Sequence, residues 1–178
     1  MYPPGHVGLT AVLVAPLVCW LRLTGRERTA MECLVVALAL SLLPDIDTLL
    51  PGIVHRGVTH TLLAALVVGV GVAVAFRWRD DSATGLADHG VGVRWFVGAA
   101  GVLSHLAGDV ITPMGIRPLF PLSGTGYTLD IVPASSPTAN AALLLLGATV
   151  LAFTYSVPPG LPGSEIDDST EVSPSTRR

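Results

Sequence analysis

Apolar residues gather into five long runs: Val7 to Leu23, Thr29 to Leu43, Val58 to Phe76, Trp95 to Thr112 and Ala139 to Val157. A helix needs about 20 residues to cross the hydrocarbon of a bilayer, and the runs approach that length. The pattern therefore predicts an all-α, integral membrane helical bundle. The second run has only 15 residues and carries Glu32 near its start. It must tilt, thin the bilayer or lie against its neighbours, so five transmembrane helices are expected, or four if this run does not cross. The first run lacks a positively charged leader, and Pro16 and Arg22 do not resemble a small-residue cleavage site, so it reads as a retained helix. After Val157 the chain turns to PPGLPGSEIDDSTEVSPSTRR. That segment is too polar and proline-rich to bury surface and is expected to be disordered. The division is then a membrane domain, 1–157, and a polar tail, 158–178.

Composition narrows the class. Of the 178 residues 51% are hydrophobic and only 13% charged, against about 25% charged in a soluble domain. A disordered chain is excluded, since disorder needs high net charge and here it is −3. Nucleic-acid binding is not expected: ten scattered arginines, no lysine and 13 acids make no basic stripe to track phosphates. Cys19 and Cys33 both lie inside apolar runs and read as small buried hydrophobes.

The arginines orient the bundle. Arg22, Arg26 and Arg28 follow the first run, Arg77, Arg79 and Arg94 lie between the third and fourth, and Arg177 and Arg178 end the tail. Only Arg56 and Arg117 fall on the other side. A split of eight against two puts the N-terminus outside and the C-terminus in the cytoplasm of a multi-pass cell-membrane protein. Trp78 and Trp95 flank the third-to-fourth loop as interfacial anchors, and His89 in that loop reads as an ordinary solvated residue.

Against that topology the remaining polar residues are unevenly placed. His6 opens the first helix, LLPDID (Asp45, Asp47) closes the second, and HRGVTHT (His55, Arg56, His60) opens the third, all at the outer end. In SHLAGDVITPMG, His105 and Asp109 lie four apart and so share one helix face, nearer the same end. A carboxylate inside a membrane helix costs about 2.5–3.5 kcal/mol on insertion scales, so Asp109 needs a partner, with Arg117 or His105 available. A single ion pair does not need four histidines and three acids. Imidazole and carboxylate ligands together suit a divalent metal, zinc above all, as one ion or two. Such a metal acidifies a bound water and clamps a phosphoester. Asp47 is then a candidate proton acceptor and Arg56 a candidate phosphate contact. Thr59 and Thr112 are placed to hold ligating side chains, and Ser104 with Gly108 forms a small-x3-small pair that admits a neighbouring helix.

The order of these motifs, an N-terminal His, then PDID, HRGVTHT and SHLAGDVITPMG, resembles the YdjM-like family of inner-membrane-associated metal-dependent hydrolases over roughly residues 1–123. The fourth motif is also similar to the His-x3-Asp helix of the zinc-dependent phospholipase C and P1 nuclease group. The resemblance implies an all-helical metal site acting on phosphodiesters, with His6, Asp45, His55, His60, His105 and Asp109 as ligands or near-ligands. Beyond residue 123 the motifs end, and the last helix reads as anchoring.

The function expected is a membrane-bound, metal-dependent hydrolase of a phosphoester or phospholipid-like substrate. The alternative is a divalent-metal transporter or sensor, which apolar inner halves such as LAALVVGVGVAVAF disfavour, since they leave no polar path. The sequence leaves the oligomeric state open. Cysteine placed at Ser82 and at Ser123 should be labelled from opposite faces of the membrane, and same-side labelling would overturn the topology.

Overall fold

The computed structural model describes residues 1–77 and 85–160. Trp78, Arg79 and the 161–178 part of the tail lie outside the described residues. Five α-helices carry the chain: α1 Pro3–Leu23, α2 Glu27–Leu40, α3 Leu62–Arg77, α4 Val91–Val110 and α5 Pro137–Ser156. Proline at the first turn starts α1 and α5, and the Ser136 side chain caps α5 by accepting from Ala139 N. Gly25, at φ 75°, lets the chain turn sharply out of α1. Pro44 ends α2 and begins a 3₁₀ turn, Pro44–Leu49, while a second one, Val58–His60, leads into α3.

The fold is all-α, and four segments are long and apolar enough to cross a membrane: Pro3–Leu23, Glu27–Leu49, Val91–Val110 and Pro137–Ser156. The sequence named the second run as the doubtful one. The α-helix of that run is indeed short, 14 residues, but the 3₁₀ turn extends the segment to 23, and it is the third run, with a 16-residue helix, that falls below spanning length. Val58 to His60, counted at the start of the third apolar run, form instead the turn that carries His60.

α1 lies against α5, α3 against α4, and α1, α2 and α4 pack against one another. The α1–α5 contact is backbone against backbone. A Cβ on Gly8 would stand 2.2 Å from the Leu143 carbonyl oxygen, and one on Gly147 would stand 2.5 Å from that of Gly8. Such proximity is how helices associate where lipid removes the hydrophobic drive between them. At the far end Arg22 is buried, donates to the Thr154 carbonyl and lies 4.3 Å from the Tyr155 ring centre. The core there is apolar, built from Val14, Val18, Leu21, Ala30, Cys33, Leu34 and Val97. Both cysteines are free. Leu63, Leu66, Val67 and Val70 of α3 and Leu145 and Phe153 of α5 point outward, half to three-quarters exposed. An apolar exterior of this extent suits lipid and not water.

Gly8→Ala should destabilise the protein in detergent by ~1–3 kcal/mol, the ordinary cost of overpacking. Gly71, with open space around its Cβ direction, should accept alanine. Equal melting of the wild type and Gly8→Ala would refute the close α1–α5 contact.

Candidate metal centre

The end of the bundle where α1 begins and α4 finishes holds nearly all its buried polar groups. His6, His60 and His105 are 0% exposed, and Asp47 and Asp109 are 1% exposed. Four segments supply them: α1 gives His6, the turn after α2 gives Asp45 and Asp47, the 55–60 turn gives His55, Arg56, Thr59 and His60, and α4 gives His105 and Asp109.

Each central imidazole is fixed through one nitrogen. His105 Nδ1 donates to the Ser41 carbonyl at 2.7 Å. His60 Nδ1 lies 2.9 Å from Thr59 Oγ1 and 3.3 Å from Asp47 Oδ2, and the Thr59 hydroxyl donates to that same carboxylate at 2.7 Å. With Nδ1 carrying the proton, both Nε2 atoms present lone pairs inward. They lie 3.1 Å apart. His60 Nε2 is 3.3 Å from Asp45 Oδ1 and 3.3 Å from Asp109 Oδ2, and His105 Nε2 is 3.4 Å from each. Asp109 Oδ2 is buried with no hydrogen-bond partner. Two carboxylate oxygens thus flank the paired imidazole nitrogens, and the Asp109 oxygen among them has no donor.

The separations fit a small cation. Ligands at zinc distances of about 2.0–2.1 Å in a tetrahedron are about 3.3–3.4 Å from one another, which matches four of these five separations, with the His–His pair slightly shorter. Groups that could hold a metal ion are Asp45, His60 and His105; His6, His105 and Asp109; and Asp47, His55 and His60. In the metal-free protein burial acts to lower His60, but the carboxylates of Asp109 and Asp45 outweigh it and hold its pKa above the ordinary 6.5. A proton then does in part what a divalent cation would do fully.

The other expected residues support this set. Arg56 donates to Asp109 Oδ1 at 2.6 Å, Thr112 Oγ1 at 3.0 Å and the Gly115 carbonyl at 2.9 Å. Its backbone N–H donates to Asp47 Oδ2 and its φ is 60°, a conformation unusual outside glycine and held by contacts at both ends of the residue. Arg56, and not Arg117, is therefore the arginine that neutralises Asp109. The Met1 amine also reaches Asp109 Oδ1, at 2.5 Å. His55, 40% exposed at its side chain, donates to Asp47 Oδ1 at 2.8 Å. His6 stacks on His105 with ring centres 3.7 Å apart, and its Nε2 lies 3.4 Å from Asp109 Oδ1. Gly108 makes room: a Cβ there would be 2.9 Å from His6 Nδ1. Beside it Ser104 meets Thr10 at 2.6 Å, so the small-residue pair admits α1 as expected. His89 is at the opposite end, near Arg26.

Sequence reasoning missed Ser41, whose contribution is a carbonyl and leaves no residue-type signal. It also missed Asn140, whose side-chain oxygen accepts from Tyr2 N and so holds the start of α1 against α5.

A family model described as YdjM inner membrane protein matches residues 1–159. The chain belongs to that family and is a multi-pass membrane protein. The match corrects the limit near residue 123 drawn from motifs alone: α5 carries no site motif yet belongs to the shared fold. Neither the curated proteins nor the solved structures contain a match to this chain.

Purified protein should contain divalent metal, and His105→Ala and His60→Ala should each lower metal content at least tenfold, with helical content retained by circular dichroism. Affinity should rise with pH, because the raised pKa of His60 keeps it protonated at the low end and metal must displace that proton. Full metal content in both variants would refute the site.

Proposed function

We propose that this YdjM-family member is a membrane-embedded, metal-dependent hydrolase of phosphoester substrates, with its centre at the outer end of the bundle. The observation that carries the reading is that Asp45 Oδ1 and Asp109 Oδ2 each stand 3.3–3.4 Å from the paired Nε2 atoms of His60 and His105, with Asp109 Oδ2 lacking a hydrogen-bond partner. Two imidazoles and two carboxylates favour zinc. A divalent cation held there supplies Lewis acidity and a water acidic enough to lose a proton near neutral pH.

The chain's own residues do the rest. Ser41 and the Thr59–Asp47 pair fix the two ring planes. Arg56 engages one Asp109 oxygen and leaves the other inward. Asp45 is 25% exposed at its side chain, whereas the other three donors are buried. Its Oδ2 has no hydrogen-bond partner among the described residues, so in this reading it accepts the proton of an entering water. Asp47 has both oxygens engaged with His55, Thr59 and the Arg56 amide. We therefore assign it to orienting the histidines, in place of the proton-accepting role anticipated from the sequence. One ion fits this division, because the nitrogen and oxygen atoms around Asp47 already satisfy one another. Among the described residues the far end is an apolar cluster with only Arg22, Thr29 and Thr154 as buried polar groups, which speaks against transport.

Asp45→Asn should retain most of the metal but lower turnover of a phosphodiester by a factor of about 10² or more, the usual scale for a general base. A chelator should abolish turnover, and restored zinc should recover it. A metal-replete protein inert toward phosphodiesters and phospholipids alike would overturn the hydrolase.

A further inference from the structure

A cavity of about 320 Å³ lies beside the histidine cluster, between the 52–58 turn and the segment bearing Arg117 and Phe120. Its lining includes two cations, Arg56 and Arg117, and no carboxylate. Arg56 is paired with Asp109 through one end of its guanidinium and keeps one edge free, and Arg117 is unpaired among the described residues. Arg56 is 8% exposed, and its Nε has no hydrogen-bond partner. The Arg117 side chain is exposed and has no ion pair or hydrogen bond among the described residues. The remaining wall is apolar: Ile53, Val54 and Val58 are 39%, 72% and 52% exposed. The cavity also reaches the metal-ligating set directly, since Arg56 is at once part of its wall and the partner of Asp109.

The unpaired Arg117 guanidinium next to exposed aliphatic side chains is complementary to a molecule with an anionic head and an apolar chain. A guanidinium offers forked donors that match phosphate oxygens. We infer that this cavity is the head-group site of a phosphate-bearing amphiphile. Arg117 pairs with the phosphate, the free Nε edge of Arg56 faces the same anion, and Ile53, Val54 and Val58 take the first methylenes of the chain. The inference rests on the hydrolase reading only for calling this molecule the substrate; the binding itself does not require catalysis.

The test uses the full chain in detergent, loaded with metal, and calorimetric titration with dihexanoyl phosphatidate, inorganic phosphate and dihexanoylglycerol. Phosphatidate should bind at least tenfold more tightly than either of the other two. Arg117→Gln should weaken phosphatidate at least tenfold with metal content unchanged, Arg117→Lys should weaken it less, and Val54→Asp should weaken phosphatidate while sparing inorganic phosphate. Unchanged phosphatidate affinity in Arg117→Gln would overturn the site. Inorganic phosphate binding as tightly as the lipid would overturn the amphiphile. Arg117-dependent binding without turnover would retire the hydrolase and leave the site, whereas turnover whose KM ignores Arg117→Gln would do the reverse.

Discussion

The Asp109 carboxylate is 1% exposed on a helix apolar enough to cross a bilayer. A charge left alone in such a place is costly, and stripping one partner from a buried pair costs about 3–5 kcal/mol. Much of the end of the bundle where α1 begins can be understood as the answer to that single constraint. Arg56 is pulled into a left-handed backbone conformation so that its guanidinium reaches Asp109 Oδ1. The start of α1 is drawn over the same oxygen. His60 and His105 then crowd the second oxygen without donating to it. The arrangement over-neutralises one side of the carboxylate and leaves the other bare, which is the polarity a cation site needs.

Bringing four chain segments to one point requires close helix approach, and this is where the small residues act. Gly108 gives His6 the space to stack on His105, and Ser104 with Thr10 ties the same two helices one turn away. Gly8 and Gly147 bring α5 against the outer face of α1, which keeps His6 from relaxing away. Packing and site are thus one structure: the same glycines that let helices meet without a hydrophobic drive also set the imidazole positions.

Much of this was legible in the sequence. The five helices follow from apolar runs, and the shared face of His105 and Asp109 follows from their spacing of four. The convergence of PDID with HRGVTH could be anticipated because both flank one short connection. Three features were not legible. The third apolar run was started at Val58, so the 3₁₀ turn that presents His60 was hidden, and the turn that lengthens the α2 segment to spanning length was not anticipated either. Arg117 or His105 was the expected partner of Asp109, and that Arg56 takes that place is fixed only by tertiary structure. Ser41 acts through its backbone, which any residue type could supply.

The shortness of α3 has a consequence for chemistry. Sixteen residues rise about 24 Å, some 6 Å less than the hydrocarbon core. The missing turn is the stretch 58–61, where the chain leaves helical geometry to carry His60 inward. Had α3 continued upward as a regular helix, His60 would sit on its surface one turn higher, facing wherever the helical period sent it. Ending the helix early brings His60 into the cluster while Asp45 stays a quarter exposed. The site is therefore dry enough for its charges to act strongly on one another, yet one of its carboxylates keeps contact with solvent.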